Sequence, residues 1–240
     1  MTAIVRRKMD DMEPSLAEKA YTHIRGKLAD GKFAPGRQLV NRALADEIGV
    51  SVIPVREAIN RLTSEGLVEH VPGAGAFVRK VDREQLNHLY VLRDALESCA
   101  AGEAARNITP YQLEELESLL EEAREISWQV ASNARKFATK RQMNLWLDNE
   151  QRFHELLVES AQNPLLARVV HEHRAIGQVF DAQRDDPRLL PAEVAEYTCS
   201  GRSDLIEALR ARDHVRARQL TSEQIQRGRK QVMDHLRRKG

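Results

Sequence analysis

The sequence predicts a mainly α chain in two parts: short helices closed by a β-hairpin over residues 15–80, then an all-helical bundle. Three observations carry this expectation. At 240 residues the chain exceeds what one typical core holds, which favours two domains. Aromatics are only 5% while Leu, Ala, Glu and Arg abound, a balance that suits helices rather than a β-sandwich or barrel. Finally, helical periodicity runs almost unbroken from residue 82 onward, whereas two strand-like runs interrupt it before that point.

Residues 1–14 (MTAIVRRKMDDMEP) mix charges without periodicity and read as a flexible tail. Ser15 can cap a helix with Leu16, Ala20, Ile24 and Leu28 in one stripe, stopping at Gly31 before a Pro35-Gly36 turn. A second short helix turns Leu44, Ala45 and Ile48 inward, and Gly49 supplies a tight turn with positive φ. After Ser51 a third helix spaces Val55, Ala58, Ile59 and Leu62 at i, i+3, i+4 and i+7. Arg56, Asn60 and Arg61 fall on its polar side, and Gly66 ends it. Residues 67–71 and 76–79 then flank Pro72-Gly73-Ala74-Gly75 as a hairpin.

Helix, helix, glycine turn, helix and hairpin is the order of a winged helix-turn-helix. Its last helix is thin enough to enter a major groove, where Arg56 can grip a guanine edge or a phosphate and Asn60 a base. Winged helices also serve as protein-interaction modules, and pattern alone leaves both uses open. The charge leans toward an anionic partner: residues 1–80 carry 13 Lys and Arg against 10 Asp and Glu, and the remainder 24 against 26.

The second part reads as six helices, over 83–106, 110–131, 135–161, 164–183, 192–211 and 213–236. Thr109-Pro110 and Asn163-Pro164 mark starts, Pro187 and Pro191 bracket a loop, Gly201 is a candidate kink, and Arg212-Asp213 a corner. Glu114 to Glu125 forms a solvated face with Leu113, Leu116, Leu119 and Leu120 inward. Trp128 and Trp146 read as core, interface or pocket wall, and Cys99 as a small core residue. The basic stretch Arg227 to Lys239 reads as a helix end that cations suit.

Composition narrows the function classes. Hydrophobic residues at 42% and charged residues at 30% exclude disorder. No apolar run approaches the ~20 residues that span a bilayer, and no secretory signal opens the chain. Cys99 and Cys199 make no close-spaced metal or redox pattern. A cytoplasmic protein with no membrane partner is expected. No His-Glu-x-x-His, Gly-x-Ser-x-Gly, phosphate-loop or dinucleotide fingerprint appears, so no catalytic residue is assigned.

The run Gly31-Lys-Phe-Ala-Pro-Gly-Arg-Gln-Leu39, Leu44-Ala-Asp-Glu-Ile-Gly-Val-Ser51, Pro54-Val-Arg-Glu-Ala58, Glu65-Gly-Leu-Val68 and Gly73-Ala-Gly-Ala-Phe-Val78 resembles the DNA-binding domain of GntR-family repressors. That resemblance implies DNA contacts from Arg42, position 52, Arg56, and the wing glycines Gly73 and Gly75, beside Ser51, Asn60 and Arg61. Position 52 is Val52 where the family's usual turn carries Arg, so Ser51-Val-Ile-Pro54 replaces Ser-Arg-x-Pro. One guanidinium contact is lost, and each good bidentate base contact discriminates by ~1–3 kcal/mol. A shifted operator, or weaker binding resting on Arg42 and Arg56, is expected.

Leu89-Tyr-Val-Leu-Arg-Asp-Ala-Leu-Glu97, Glu150-Gln-Arg-Phe-His-Glu-Leu-Leu157 with Ala161-Gln-Asn-Pro-Leu-Leu166, and Asp204-Leu-Ile-Glu-Ala-Leu-Arg-Ala-Arg-Asp213 are similar to the FCD ligand-binding domain of the FadR-like branch. Many members of that branch hold a divalent metal between an acidic residue, a His on the same helix, and two more His near the C-terminus. The resemblance sets Glu150, His154, Arg202 and Gln224 at those four positions. A cation and an amide replace two ligands, so no cofactor is expected, with Glu150 and His154 the fallback pair for a metal. His171, His173 and His214 are the other histidines that could substitute as ligands, although His171 and His173 read as helix-surface residues. Two readings of the cavity stay open. In one, Arg93, Glu150, His154, Arg202 and Gln224 face a small organic acid; in the other, Arg202 pairs with Glu150 and closes the space.

The function expected is a sequence-specific, dimeric repressor that reads a pseudo-palindromic duplex and answers to an anionic effector. A metal-responsive regulator of the same fold and a helical-bundle metalloenzyme are the alternatives.

Overall fold

The computed structural model describes residues 14–29, 31–80, 83–179 and 186–239, with side chains except at 29, 172–179 and 238–239. The expected tail up to residue 13, the connector at 81–82, the end of the helix expected to reach 183, and the His173 side chain lie outside the described residues. The chain divides into two compact units, the first made of residues up to Val81 with Gln178–Phe180 and the second of the rest from Asp82 onward.

In the first unit, α1 (Leu16–Ala29), α2 (Asn41–Ile48) and α3 (Val52–Ser64) pack beside a three-stranded sheet. Ser15 Oγ accepts the Glu18 N–H at 3.1 Å, satisfying one of the amides that a helix start leaves open. Ala20, Ile24 and Leu28 of α1 are wholly buried against α3, while Leu16, the first residue of the expected stripe, stays exposed. Gly49 adopts φ 75° and donates its N–H to the Ala45 carbonyl at 2.9 Å, so α2 ends in the left-handed turn that glycine favours. Val55, Ala58, Ile59 and Leu62 then line the buried side of α3.

The hairpin pairs β2 (Val68–Val71) with β3 (Gly75–Val78) antiparallel, from Val68↔Val78 to Val71↔Gly75. A two-residue strand, β1 (Gln38–Leu39), joins the other side of β3, giving the order β1-β3-β2. No periodicity marks so short a strand in the sequence. The burial of Leu39, Ala76 and Val78 fixes its register.

The second unit holds six long helices among the described residues: α4 (Arg83–Asn107), α5 (Pro110–Ser132), α6 (Lys140–Ser160), α7 (Pro164–Val179), α8 (Ala192–Arg210) and α9 (His214–Lys239). α4 lies along α9, α5 along α8, and α6 against both α4 and α5. Ala100, Ala101, Ala104 and Ala105 are all fully buried, and their small side chains let α4 approach its neighbours closely. Leu116, Leu119, Leu120, Trp146, Phe153, Leu157 and Leu205 fill the core.

Four expectations are corrected here. α6 starts at Lys140, not 135: Lys136 takes φ 56° in a turn, and Thr139 with Gln142 forms a reciprocal capping box. α8 runs unbroken through Gly201. Trp128 is 67% exposed, which removes the core reading for it alone, whereas Trp146 is buried. Cys99 is only half-buried, and Cys199 is the buried thiol.

Candidate functional site

Two groups of residues stand apart from simple packing, one in each unit. In the first unit, α3 turns its apolar stripe inward and leaves Arg56 and Asn60 exposed, with no side-chain partner for either among the described residues. Ser51 occupies the N-cap position, but its hydroxyl makes no capping bond. Val52 is half-buried as the first residue of α3, and Arg42 is exposed near the start of α2.

Arg61 is placed differently. Its guanidinium stacks 3.7 Å from the Tyr21 ring centroid and donates to Glu18 at 2.7 Å and Glu65 at 3.2 Å. The Tyr21 hydroxyl donates to both Glu65 oxygens, and burial together with that carboxylate raises the phenol's pKa. Arg61 therefore sits on the flank of α3 that packs toward α1, engaged inside the unit and separate from the free pair Arg56 and Asn60.

At the wing, Gly73 (φ 75°) and Gly75 (φ 108°) take conformations that side chains rarely adopt, so the tip needs glycine at both. Gln38 of β1 donates its side-chain amide to the Ala74 carbonyl at 2.7 Å and braces the turn. From Val71 to Gly75 the tip is uncharged.

In the second unit, Arg202 of α8 is 2% exposed and carries a charge into the bundle. Nη1 donates to Asn149 Oδ1 at 2.7 Å, and Nη2 donates to Glu150 Oε1 at 2.6 Å. The guanidinium lies 4.3 Å from the Phe153 ring centroid and 5.8 Å from that of Trp146. Asn149 is itself held by donating to the Leu119 carbonyl at 2.9 Å and to Glu122 at 3.2 Å.

The polar line continues from Glu150. Its second oxygen lies 3.7 Å from His154 Nε2, and His154 Nδ1 lies 3.5 Å from Glu97 Oε2. Glu97, 2% exposed, accepts from Arg93 Nε at 2.8 Å. Two i,i+4 pairs build this line, Arg93 with Glu97 on α4 and Glu150 with His154 on α6. A guanidinium stands at each end of it, and two carboxylates flank an imidazole. In the low dielectric of a bundle such contacts are strengthened, and losing any one is correspondingly expensive.

Four of the five expected effector residues, Arg93, Glu150, His154 and Arg202, are thus brought together. The fifth, Gln224 of α9, comes to the turn next to Arg202: a Cβ at Gly201 would lie 2.5 Å from its side-chain nitrogen. That nitrogen is buried and has no hydrogen-bond partner among the described residues. His214 is exposed at the head of α9, and among the described residues no group of three or more His, Cys, Asp or Glu could hold a metal ion. Sequence reasoning missed Asn149, Glu97 and Gln38. Only Glu97 left a trace, one helical turn beyond Arg93.

Residues 16–78 match the gntR family of bacterial regulatory proteins, and residues 88–227 match the FCD domain. Over 107 residues the chain is 36% identical to the HTH-type transcriptional regulator McbR of Escherichia coli K12, covering 45% of this chain and 48% of McbR. It is 34% identical over 138 residues to the Nta operon transcriptional regulator of Aminobacter aminovorans, 58% of this chain and 60% of that protein. Against the HTH-type transcriptional repressor RspR of E. coli K12 it is 28% identical over 144 residues, covering 60% and 58%. The chain thus spans from about half to three-fifths of the length of these relatives. Among solved structures, E. coli McbR/YncC superposes with a TM-score of 0.73 at 25% identity, over 89% of this chain and 94% of that one. A GntR protein from Rhodococcus sp. RHA1, at 20% identity and TM-score 0.69 over 91% and 97%, shares the fold.

A winged helix followed in the chain by an all-helical domain defines the class, that of winged-helix regulatory proteins with a helical second domain. The chain belongs to the gntR family of bacterial regulatory proteins, in the branch that carries an FCD domain. These relatives are transcription regulators.

Proposed function

We propose that this chain is a cytoplasmic, DNA-binding repressor, active as a homodimer and released from a pseudo-palindromic operator by a small organic acid. The α3 face with Arg56 and Asn60, supported by Ser51, Val52, Arg42 and the Gly73–Gly75 wing tip, lies in the major groove of each half-site. One such helix makes too few contacts for tight specific binding, and a two-fold pair reads an inverted repeat. The repressor reading draws on the likeness to RspR.

The observation that carries the effector reading is the Gln224 side-chain nitrogen, a buried donor with no acceptor among the described residues. An unmet buried donor costs about 1–3 kcal/mol, which an oxygen of an entering acid would recover. The same acid competes with Glu150, the more exposed partner of the pair, for the guanidinium of Arg202. Arg93 and His154 border the exchanged carboxylate. The residues do not fit a divalent metal, because a guanidinium already takes the Glu150 oxygen that an ion would need, and Gln224 brings an amide where such sites use imidazole.

The test uses the full chain after chelation. A thermal-shift panel of mono- and dicarboxylic acids, beside zinc, nickel and manganese, is paired with binding to an operator selected from random duplexes. One class of acid raises the Tm and weakens operator binding, and Gln224→Leu and Arg202→Lys remove both responses. Stabilisation by a micromolar metal instead overturns the metal-free reading. Silence across the panel, with operator binding intact, overturns the acid reading alone.

A further inference from the structure

We infer that Ile53 reads the C5-methyl group of a thymine in each half-site. The inference rests on the reading of α3 as the DNA-facing helix and assigns it a specificity determinant. Ile53 is 68% exposed, among the most exposed large apolar residues of the chain, and it stands in the first turn of α3. Along that helix the buried side is Pro54, Val55, Ala58, Ile59 and Leu62. At 3.6 residues per turn, Ile53, Glu57 and Asn60 fall opposite it, with Arg56 beside them.

Ile53 therefore sits at i−3 from Arg56 and i−4 from Glu57, within one patch whose other exposed members are charged or polar. An isoleucine on a polar face facing water gains nothing there, and a scattered surface apolar residue needs no explanation on its own. Its position is what singles it out. The same patch holds two polar side chains, Arg56 and Asn60, with no partner among the described residues, of the types that grip guanine and adenine edges. The apolar feature a major groove offers to such a patch is the thymine methyl. Val52, half-buried at the helix start, is less available for that contact. The pair Arg56 and Ile53 then distinguishes a guanine from a thymine one helical turn apart on the protein.

The experiment takes the operator recovered by selection and replaces each thymine with deoxyuridine in turn, which deletes one methyl and leaves every hydrogen-bonding edge intact. Burying one methyl(ene) is equivalent to about a fourfold change in affinity. The wild-type chain should lose about that factor at one thymine per half-site. Ile53→Ala should bind the thymine and uracil duplexes equally at that position, and Ile53→Val should fall between. Because Ile53 is exposed, neither substitution empties the core. If no uracil position loses its effect in Ile53→Ala while Arg56→Ala still weakens operator binding, the inference falls and the α3 reading stands. If Ile53→Ala and Arg56→Ala both leave operator binding unchanged, the α3 reading falls with it.

Discussion

Arg202 and Glu150, fifty-two residues apart in the chain, meet at 2.6 Å inside the helical bundle, the guanidinium almost wholly buried and the carboxylate partly so. The contact supplies the ion pair of one sequence reading, and in the other an entering acid competes for the same guanidinium. Burying a cation is tolerable because Asn149 takes a second N–H and Phe153 offers its ring face.

Removing the carboxylate alone should be costly. Glu150→Ala strands a buried charge, and breaking such pairs costs about 3–5 kcal/mol; the partial exposure of Glu150 and the surviving Asn149 bond put this case at the lower end. Urea unfolding of the full chain followed by helical circular dichroism checks it. Replacing both partners by apolar residues, Glu150→Leu with Arg202→Met, should recover much of the loss. Equal losses in the single and double variants would show that the pair does not act as a unit.

Arg61 and Arg56 should separate stability from recognition. Arg61→Ala loses two partly exposed ion pairs, to Glu18 and Glu65, and a cation–π contact, together about 1–2 kcal/mol, with no change in the ranking of operator sequences. Arg56→Ala should leave the melting of the winged unit unchanged and alter the ranking. Competition binding against a panel of single-base operator variants reads both effects.

Gly201→Ala pushes a methyl to within 2.5 Å of the Gln224 side-chain nitrogen. The clash is with the far end of a flexible side chain, so α8 survives and Gln224 swings away, at a cost of about 1 kcal/mol. If Gln224 contributes to effector binding, the acid response weakens in parallel. Adding Gln224→Ser should restore the stability but not the response, which distinguishes crowding from lost chemistry.

Glu47 predicts an acid-sensitive corner of the first unit. Hydrogen bonds from Lys27 and from His23, the latter at 2.6 Å, hold its carboxyl below the ordinary value of 4.5. A folded-state carboxyl with a lowered pKa contributes stability above its unfolded value, and loses it as the pH falls through the folded value. The stability gap between wild type and Glu47→Gln should therefore be full near neutrality and shrink below pH 4.5. A gap that grew on acidification would contradict this sign.

The sequence displays most of the fold where residue type dictates backbone. Gly49 and Gly66 end helices with positive φ, and Thr109-Pro110 opens one with a capping box. The start of α6 was equally readable, since Thr139-Lys-Arg-Gln142 spells the same box; apolar periodicity running back toward 135 obscures it. β1 was not readable, because two residues carry no period and its partner lies nearly forty residues away. The same distance hides Arg61, whose place on a polar face gives no hint of Tyr21 on another helix. In the buried line, the members on one helix are visible as i,i+4 pairs, whereas Asn149 enters it through Arg202 from α8, a contact between helices that the chain order does not encode.

The uncharged tip of the wing has one more consequence, in how the chain should respond to salt. Each phosphate that a Lys or Arg neutralises releases counterions, and each contributes ~0.9 to the slope of log affinity against log salt concentration. A tip of Val71, Pro72, Gly73 and Ala74 displaces no ions, whatever contact its backbone makes. The slope then counts cations elsewhere in the winged unit, and Arg42→Ala should lower it by about one for each half-site. Deleting the wing tip should weaken binding by the same factor in dilute and concentrated salt, so ionic strength becomes the variable that tells a groove contact from a charge contact.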